Sequence, residues 1–285
     1  MRVFQYFIKK TIAASLAIGL VLAGCDIVEP PYLTGDGPGY GNGETVRTVL
    51  LEEFTGHQCP NCPEGSAMAQ ALKDFYGHRL VIVSIHAGFF AMPTGQPFNY
   101  DFRTPTGQEL NSYFGITFNP VGMVNRSPVD GSRLIPPSGW GSAISQIVEQ
   151  EPEVSIAINL NYQASNRQLQ VSATTTLLQS LQGDYYLTLY LVEDGIIKPQ
   201  KTNDPAYENG VIMDYEHKHV LRAAINHTWG EKILDGGGLP GEQLAGNWNI
   251  TLDNEWNPAN CSVVVFVYSG QDLSVLQAAK KKISF

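Results

Sequence analysis

The sequence predicts an α/β unit followed by an all-β unit, the second an antiparallel β-sandwich. Three observations carry this. An apolar run, Val49 to Phe54, leads through two closely spaced cysteines into an amphipathic helical pattern. From Val154 onward the apolar period switches to two. Pro152, set between two glutamates, stands at the change. The units expected are 45–151 and 152–285, and the length of 285 residues fits two of them with a leader.

The leader reads as an address. Arg2, Lys9 and Lys10 form a basic start, and Thr11 to Leu22 is apolar but too short to span a bilayer comfortably. It ends in Leu22-Ala23-Gly24-Cys25, which resembles the bacterial lipoprotein box. Residues 1–24 are then a signal peptide, and Cys25 is the lipidated first residue of the exported chain. An ordinary secretory signal with an incidental cysteine is the alternative. Residues 25–44 hold Pro30, Pro31 and a glycine-rich run, Gly35 to Gly43, and read as a flexible tether.

Three of the 18 basic residues lie in the first 24 positions, and none of the 27 acidic ones. The remainder carries 15 basic groups against 27 acidic. Such a surface argues against nucleic acid and against electrostatic attachment to anionic lipid. Acyl chains on Cys25 would supply the anchor. No cofactor is expected.

Within 45–151, Thr45 to Phe54 is a buried strand. Met68, Ala71, Leu72 and Phe75 give one helical face, closed by Gly77. Leu80 to Ile85 is the next strand. Residues 87–104 are irregular and aromatic, a lid or a packing surface. A helix covers about 105–114, a strand starts after Pro120 with Asp130 to Leu134 as hairpin partner, and a last helix carries Trp140, Ile144, Ile147 and Val148. In the second unit, strands are expected at Val154–Tyr162, Leu169–Thr175, Tyr185–Glu193, His219–Ile225, Trp248–Leu252, Val263–Tyr268 and Ser274–Lys281. Residues 194–217 and 226–246 read as long polar connections.

The chemistry centres on Cys59 and Cys62, two residues apart at a strand-to-helix turn. That is the arrangement of a thioredoxin-like redox site. Cys59 would be the more exposed, attacking thiolate, favoured by the helix N-terminus, and Cys62 would resolve the mixed disulfide. A purely structural disulfide is one alternative. A metal site using His57 is another, although no second Cys-x-x-Cys or His-x-x-x-His completes a set for zinc. His57 is either a solvated loop residue or a tuner of Cys59. His217 and His219 read as surface groups, and Cys261 as a core thiol.

Residues 46–150 look like a divergent thioredoxin-like domain. That resemblance implies that Glu53, six residues before Cys59, is a buried acid relaying protons to the resolving cysteine. It also implies that Pro120 follows a cis bond, faces the disulfide and leaves a backbone edge open to an extended peptide. A solvated glutamate and an ordinary trans proline are the plain alternatives. The whole chain after Cys25 resembles the twenty-eight-kilodalton outer-membrane lipoprotein family of Gram-negative bacteria. The stretches that carry it are Leu50 to Pro63, His219 to Asn226 with Trp229-Gly230, and Val275 to Ala279. Two departures from thioredoxins, Gln58 before the first cysteine and Asn119 before the proline, fall on the partner-contact surface.

The expected function is a lipid-anchored thiol–disulfide oxidoreductase. It would act on protein thiols or disulfides at the outer membrane, facing the periplasm or the cell surface. The alternative is a surface binding or adhesion lipoprotein with a structural disulfide.

Overall fold

The computed structural model describes residues 45–285. The expectations for 1–24, for Cys25 and for the tether 25–44 lie outside the described residues. Among those described, no helix is long and apolar enough to cross a membrane.

The elements in order are β1 (Val49–Thr55), α1 (Cys62–Tyr76), β2 (Leu80–His86), α2 (Pro105–Tyr113), β3 (Val121–Val124) and α3 (Pro137–Val148). They are followed by β4 (Val154–Gln163), β5 (Gln168–Leu177), β6 (Tyr185–Glu193), β7 (Val220–Ala224), β8 (Glu231–Leu234), β9 (Gln243–Thr251), β10 (Cys261–Ser269) and β11 (Val275–Lys282). Short two-residue ladders join some of the connections. The fold is mixed α/β and mostly strand, and its centre is one large sheet.

That sheet has the order β11-β10-β6-β7-β2-β1-β3, with β8 also on β6. β1 and β2 are parallel, as a helical crossover requires. β3 pairs antiparallel with β1. The sheet does not stop at Pro152. β7 joins β2 where Val220 pairs with Ser84, and Ser84 N–H donates to the His219 carbonyl at 2.8 Å. A second sheet, β9-β5-β4, lies apart from this ladder.

Side-chain alternation sorts the three larger cores among the described residues. On β1, Val49 and Leu51 pack with Ala69 of α1 and with Trp140, Ala143 and Ile144 of α3. Leu50 and Phe54 face the other way, toward Leu110 of α2 and toward Tyr190, Val264 and Phe266. The third core joins Val154, Ile156, Leu169 and Val171 of the small sheet to Leu187, Leu189, Val263 and Val265 of the large one. Continuous apolar runs such as β10 are therefore buried on both faces, while β9 keeps one face exposed.

Several expected bounds shift. β9 runs over Gln243–Thr251 and so reaches back into the region read as loop. Glu231–Leu234 there is also a strand. Asp130 to Leu134 forms no strand. Isolated bridges, Val129 with Ser132 and Gly122 with Ile135, and the Arg133 side chain, which donates to the Arg126 and Asp272 carbonyls, tie it down. Gly77 closes α1 as expected, with φ 56°.

One buried ion pair within the first half of the chain packs against aromatic rings of the second. Glu52 takes two hydrogen bonds from Arg126, both at 2.7 Å, and neither side chain is exposed. The guanidinium lies within 5.1–5.7 Å of the ring centroids of Phe266, Tyr268 and Trp229. Removing one partner leaves the other charge buried and unpaired, at a cost of about 3–5 kcal/mol. Arg126→Met should therefore lower unfolding stability by that amount in urea titration. The double variant Glu52→Gln, Arg126→Met should recover more than half of it.

Candidate functional site

β1 delivers its last side chains to the site by strict alternation. Glu53 follows Val49 and Leu51 onto the face that α1 covers. It is 1 % exposed. Ser66 Oγ donates to one carboxylate oxygen at 2.8 Å and Ser84 Oγ to the other at 3.0 Å. Burial pushes the Glu53 carboxyl up to about 7, against the opposing pull of those two hydrogen bonds. The solvated alternative for this residue falls. A carboxyl that ionises near neutrality can take and return a proton there.

The chain then turns through Gly56, His57 and Gln58. Cys59 N–H donates to the Gly56 carbonyl, and Cys62 opens α1 with its N–H on the Cys59 carbonyl. The two cysteines are joined in a disulfide, with Cα atoms 5.3 Å apart. Ser66 stands four residues after Cys62 and shares its face of the helix. Glu53 thus lies beneath the cysteine end of α1.

Cys59 is not the exposed thiol that its spacing suggests. It and Cys62 are each 1 % exposed. Two segments lie against the motif. From one side, Gln58 N–H donates to the Phe90 carbonyl at 3.0 Å, and the Gln58 side chain bonds the Met92 carbonyl. Gly56 permits this approach, since a Cβ there would lie 2.5 Å from the Phe90 carbonyl carbon.

From the other side comes a strap, residues 196–217. Lys201 N–H donates to the His57 carbonyl at 2.8 Å, and Asn203 N–H to the Pro60 carbonyl at 3.1 Å. The Gln200 amide donates to the Cys59 carbonyl at 2.9 Å, and the Asn203 amide to Asn61 Oδ1 at 2.5 Å. The strap is itself a doubled ribbon. Ile196–Ile197 pairs with Glu216–His217, and Gln200–Lys201 with Val211–Ile212.

His57 is buried as well, so its solvated reading fails. Its ring packs on Phe98 and Phe102, each at 5.5 Å, and neither nitrogen has a partner among the described residues. Phe102 also carries His86 and His217, each at 4.5 Å. Burial takes His57 down to about 4 and His217 to about 3, and holds His86 well below the ordinary range. All three are neutral imidazoles at neutral pH. His57 therefore brings no positive charge to Cys59. His217 is interior rather than surface, and the side chain of His219 is tied to Asp194 at 2.8 Å. With the cysteines bonded to each other and His57 stacked in this aromatic nest, the three do not share one metal-ligand position.

The Asn119–Pro120 bond is cis. The Pro120 ring packs on α1 at Gly65, where a Cβ would come within 2.8 Å of it. Cys261 opens β10, and burial pushes its thiol up to about 12, with the Glu193 carboxylate adding to this. It is an inert core thiol. A cavity of about 300 Å³ lies between Glu53, Ser66 and Ser84 on one side and Gln200, Tyr215 and His217 of the strap on the other.

The family model "Outer membrane protein Omp28" matches residues 107–285. This chain belongs to the Omp28 outer membrane protein family. The match starts after the cysteines, so Cys59 and Cys62 lie outside it. It includes the His219–Asn226 and Val275–Ala279 stretches. Among solved structures, HBP35 of Porphyromonas gingivalis is 18 % identical, with a TM-score of 0.63 over 85 % of this chain and 76 % of that one. This likeness is one of fold. A domain of the outer membrane lipoprotein Omp28 from Porphyromonas gingivalis is 19 % identical, with a TM-score of 0.33 over 47 % of this chain and 89 % of that one. No curated protein matches the chain.

Two pH responses follow from the buried groups. Glu53 holds its proton more tightly folded than unfolded. Its contribution is favourable below about pH 4.5, is lost as pH rises, and is fully lost above about 7. Glu53→Gln should unfold at higher urea than the parent above pH 7, by up to about 3 kcal/mol, and show no such gain at about pH 4. His57 runs the other way. Its stabilising neutral form is lost as pH falls from about 6.5 toward about 4. His57→Phe should flatten the acid limb of stability in thermal melts between those values.

Proposed function

We propose that the chain is an outer-membrane lipoprotein carrying a thioredoxin-like centre for thiol–disulfide exchange, held closed at rest by the strap 196–217. Residues 45–151 form the thioredoxin-like part in this reading, and the strands beyond form a sandwich-like part that supplies the strap. The observation that carries it is Glu53. A staple needs no acid beneath it, and burying a carboxyl with only two hydroxyl partners is costly. An acid tuned to about 7 under the cysteine end of α1 is suited to exchange a proton with Cys62.

The exchange is ordinary. In the reduced protein the Cys59 thiolate attacks a partner disulfide, and one partner sulfur leaves as thiolate. Cys62, losing its proton toward Glu53, then attacks Cys59 Sγ and releases the second partner thiol. The partner is reduced by two electrons and the pair is oxidised. With Cys59 sealed, none of this starts until the strap lifts. Five hydrogen bonds, two of them from the Gln200 amide, hold it to the motif, at about 1 kcal/mol each net, so breaking them alone costs about 5 kcal/mol. That falls in the range of local opening.

The seal itself favours a second reading, a binding lipoprotein in which Cys59–Cys62 is a staple. Cys62→Ser separates the two. On the exchange reading it accumulates a mixed disulfide through Cys59, and Gln200→Ala with Asn203→Ala should raise the trapping rate at least tenfold. Mass spectrometry of envelope extracts checks this. No adduct in either background would leave only the staple.

A further inference from the structure

A second cavity, of about 360 Å³, opens at the root of the strap. Its volume is at the small end of the range for ligand pockets. Its floor is Arg222 and Glu193. Arg222 is buried, and its Nε donates to Glu193 at 2.7 Å. The other Glu193 oxygen takes the Asn257 N–H at 2.8 Å. Both terminal nitrogens of Arg222 have no hydrogen-bond partner among the described residues, although the pocket is where the side chain lies. Tyr100 forms one wall and sits between two cations. Lys198 Nζ is 4.7 Å and the Arg222 guanidinium carbon 5.7 Å from its ring centroid. Lys198 has no carboxylate partner among the described residues.

The charges can be counted. Arg222 and Lys198 face a single committed carboxylate, Glu193. The floor is left with one positive charge in a chain whose formal net charge is −9. Such a floor calls for one anionic group. Arg222 presents a free guanidinium edge suited to a carboxylate. At the exposed side stands Glu255, which has no ion-pair partner among the described residues. It would repel a second negative charge and attract an ammonium.

We propose that this cavity binds a small zwitterion of the free α-amino acid class. Its carboxylate sits on Arg222 and Lys198, its ammonium faces Glu255, and its side chain lies against Tyr100 and Ile196. The site is separate from the disulfide and does not depend on the exchange reading.

Calorimetric titration of the oxidised full chain with a panel of free amino acids tests it. Each binder is compared with its amide, which lacks the carboxylate, and its deaminated acid, which lacks the ammonium. At least one amino acid should bind one-to-one, and its amide about tenfold more weakly. Lys198→Met should weaken the amino acid about tenfold. Glu255→Gln should weaken the amino acid but leave the deaminated acid unchanged. Both positions are solvent-accessible, and matching melting curves confirm that the variants fold. No saturable binding up to about 10 mM, a deaminated acid that binds as tightly as its parent, or binding insensitive to both variants overturns the proposal.

Discussion

The pairing of Val220 with Ser84 decides where the strap must run. β6 ends at Glu193 and β7 begins at Val220, opposite it in register. Because β7 meets β2 at Ser84, residues 194–219 emerge level with the carboxyl ends of the parallel strands β1 and β2. Those ends are where the chain turns into Cys59 and Cys62. A connection leaving the sheet at that point has the cysteine motif directly in its path. The backbone groups of His57, Cys59 and Pro60 need partners, and Gln200, Lys201 and Asn203 provide them. The closed disulfide is thus a consequence of fusing the second half of the chain to the sheet of the first.

The same fusion explains the neutral interior around the motif. Phe98 and Phe102 are caught between the turn at His57 and the strap at His217. These groups are buried away from bulk solvent, so the imidazoles there lose their charged form and the Glu53 carboxyl is pushed up. Unpartnered buried nitrogens are costly, and a sheet as large as this one can hold them. The resulting surroundings favour a proton on the Glu53 carboxyl.

Much of this was legible in the residues. The apolar run Val49–Phe54 and the 3.6-residue period after Cys62 locate β1 and α1, and the two-residue period from Val154 locates β4 and β5. Glu53 could be singled out because the thioredoxin resemblance matches the position six residues before Cys59 to a buried acid. The seal could not. Residues 194–217 are mostly polar, with Ile196-Ile197 and Val211-Ile212-Met213 as the apolar hints, and their partners are backbone carbonyls that any sequence offers. His57 and His217 were misplaced for the same reason. A histidine in a polar stretch reads as solvated until the aromatic residues from a distant loop are seen to cover it. The continuity of the sheet past Pro152 rests largely on one pair, Val220 with Ser84, and no periodicity reports a partner strand more than a hundred residues away.

Whether the covered pair can open short of unfolding is the central question. Alkylation of Cys59 in the reduced protein, followed against urea and compared with global unfolding, measures it directly. The account predicts an opening free energy several kcal/mol below the global value and nearly independent of denaturant, as for a small local motion. If Cys59 reacts only with the free energy and denaturant dependence of complete unfolding, the strap is not a gate and the account fails.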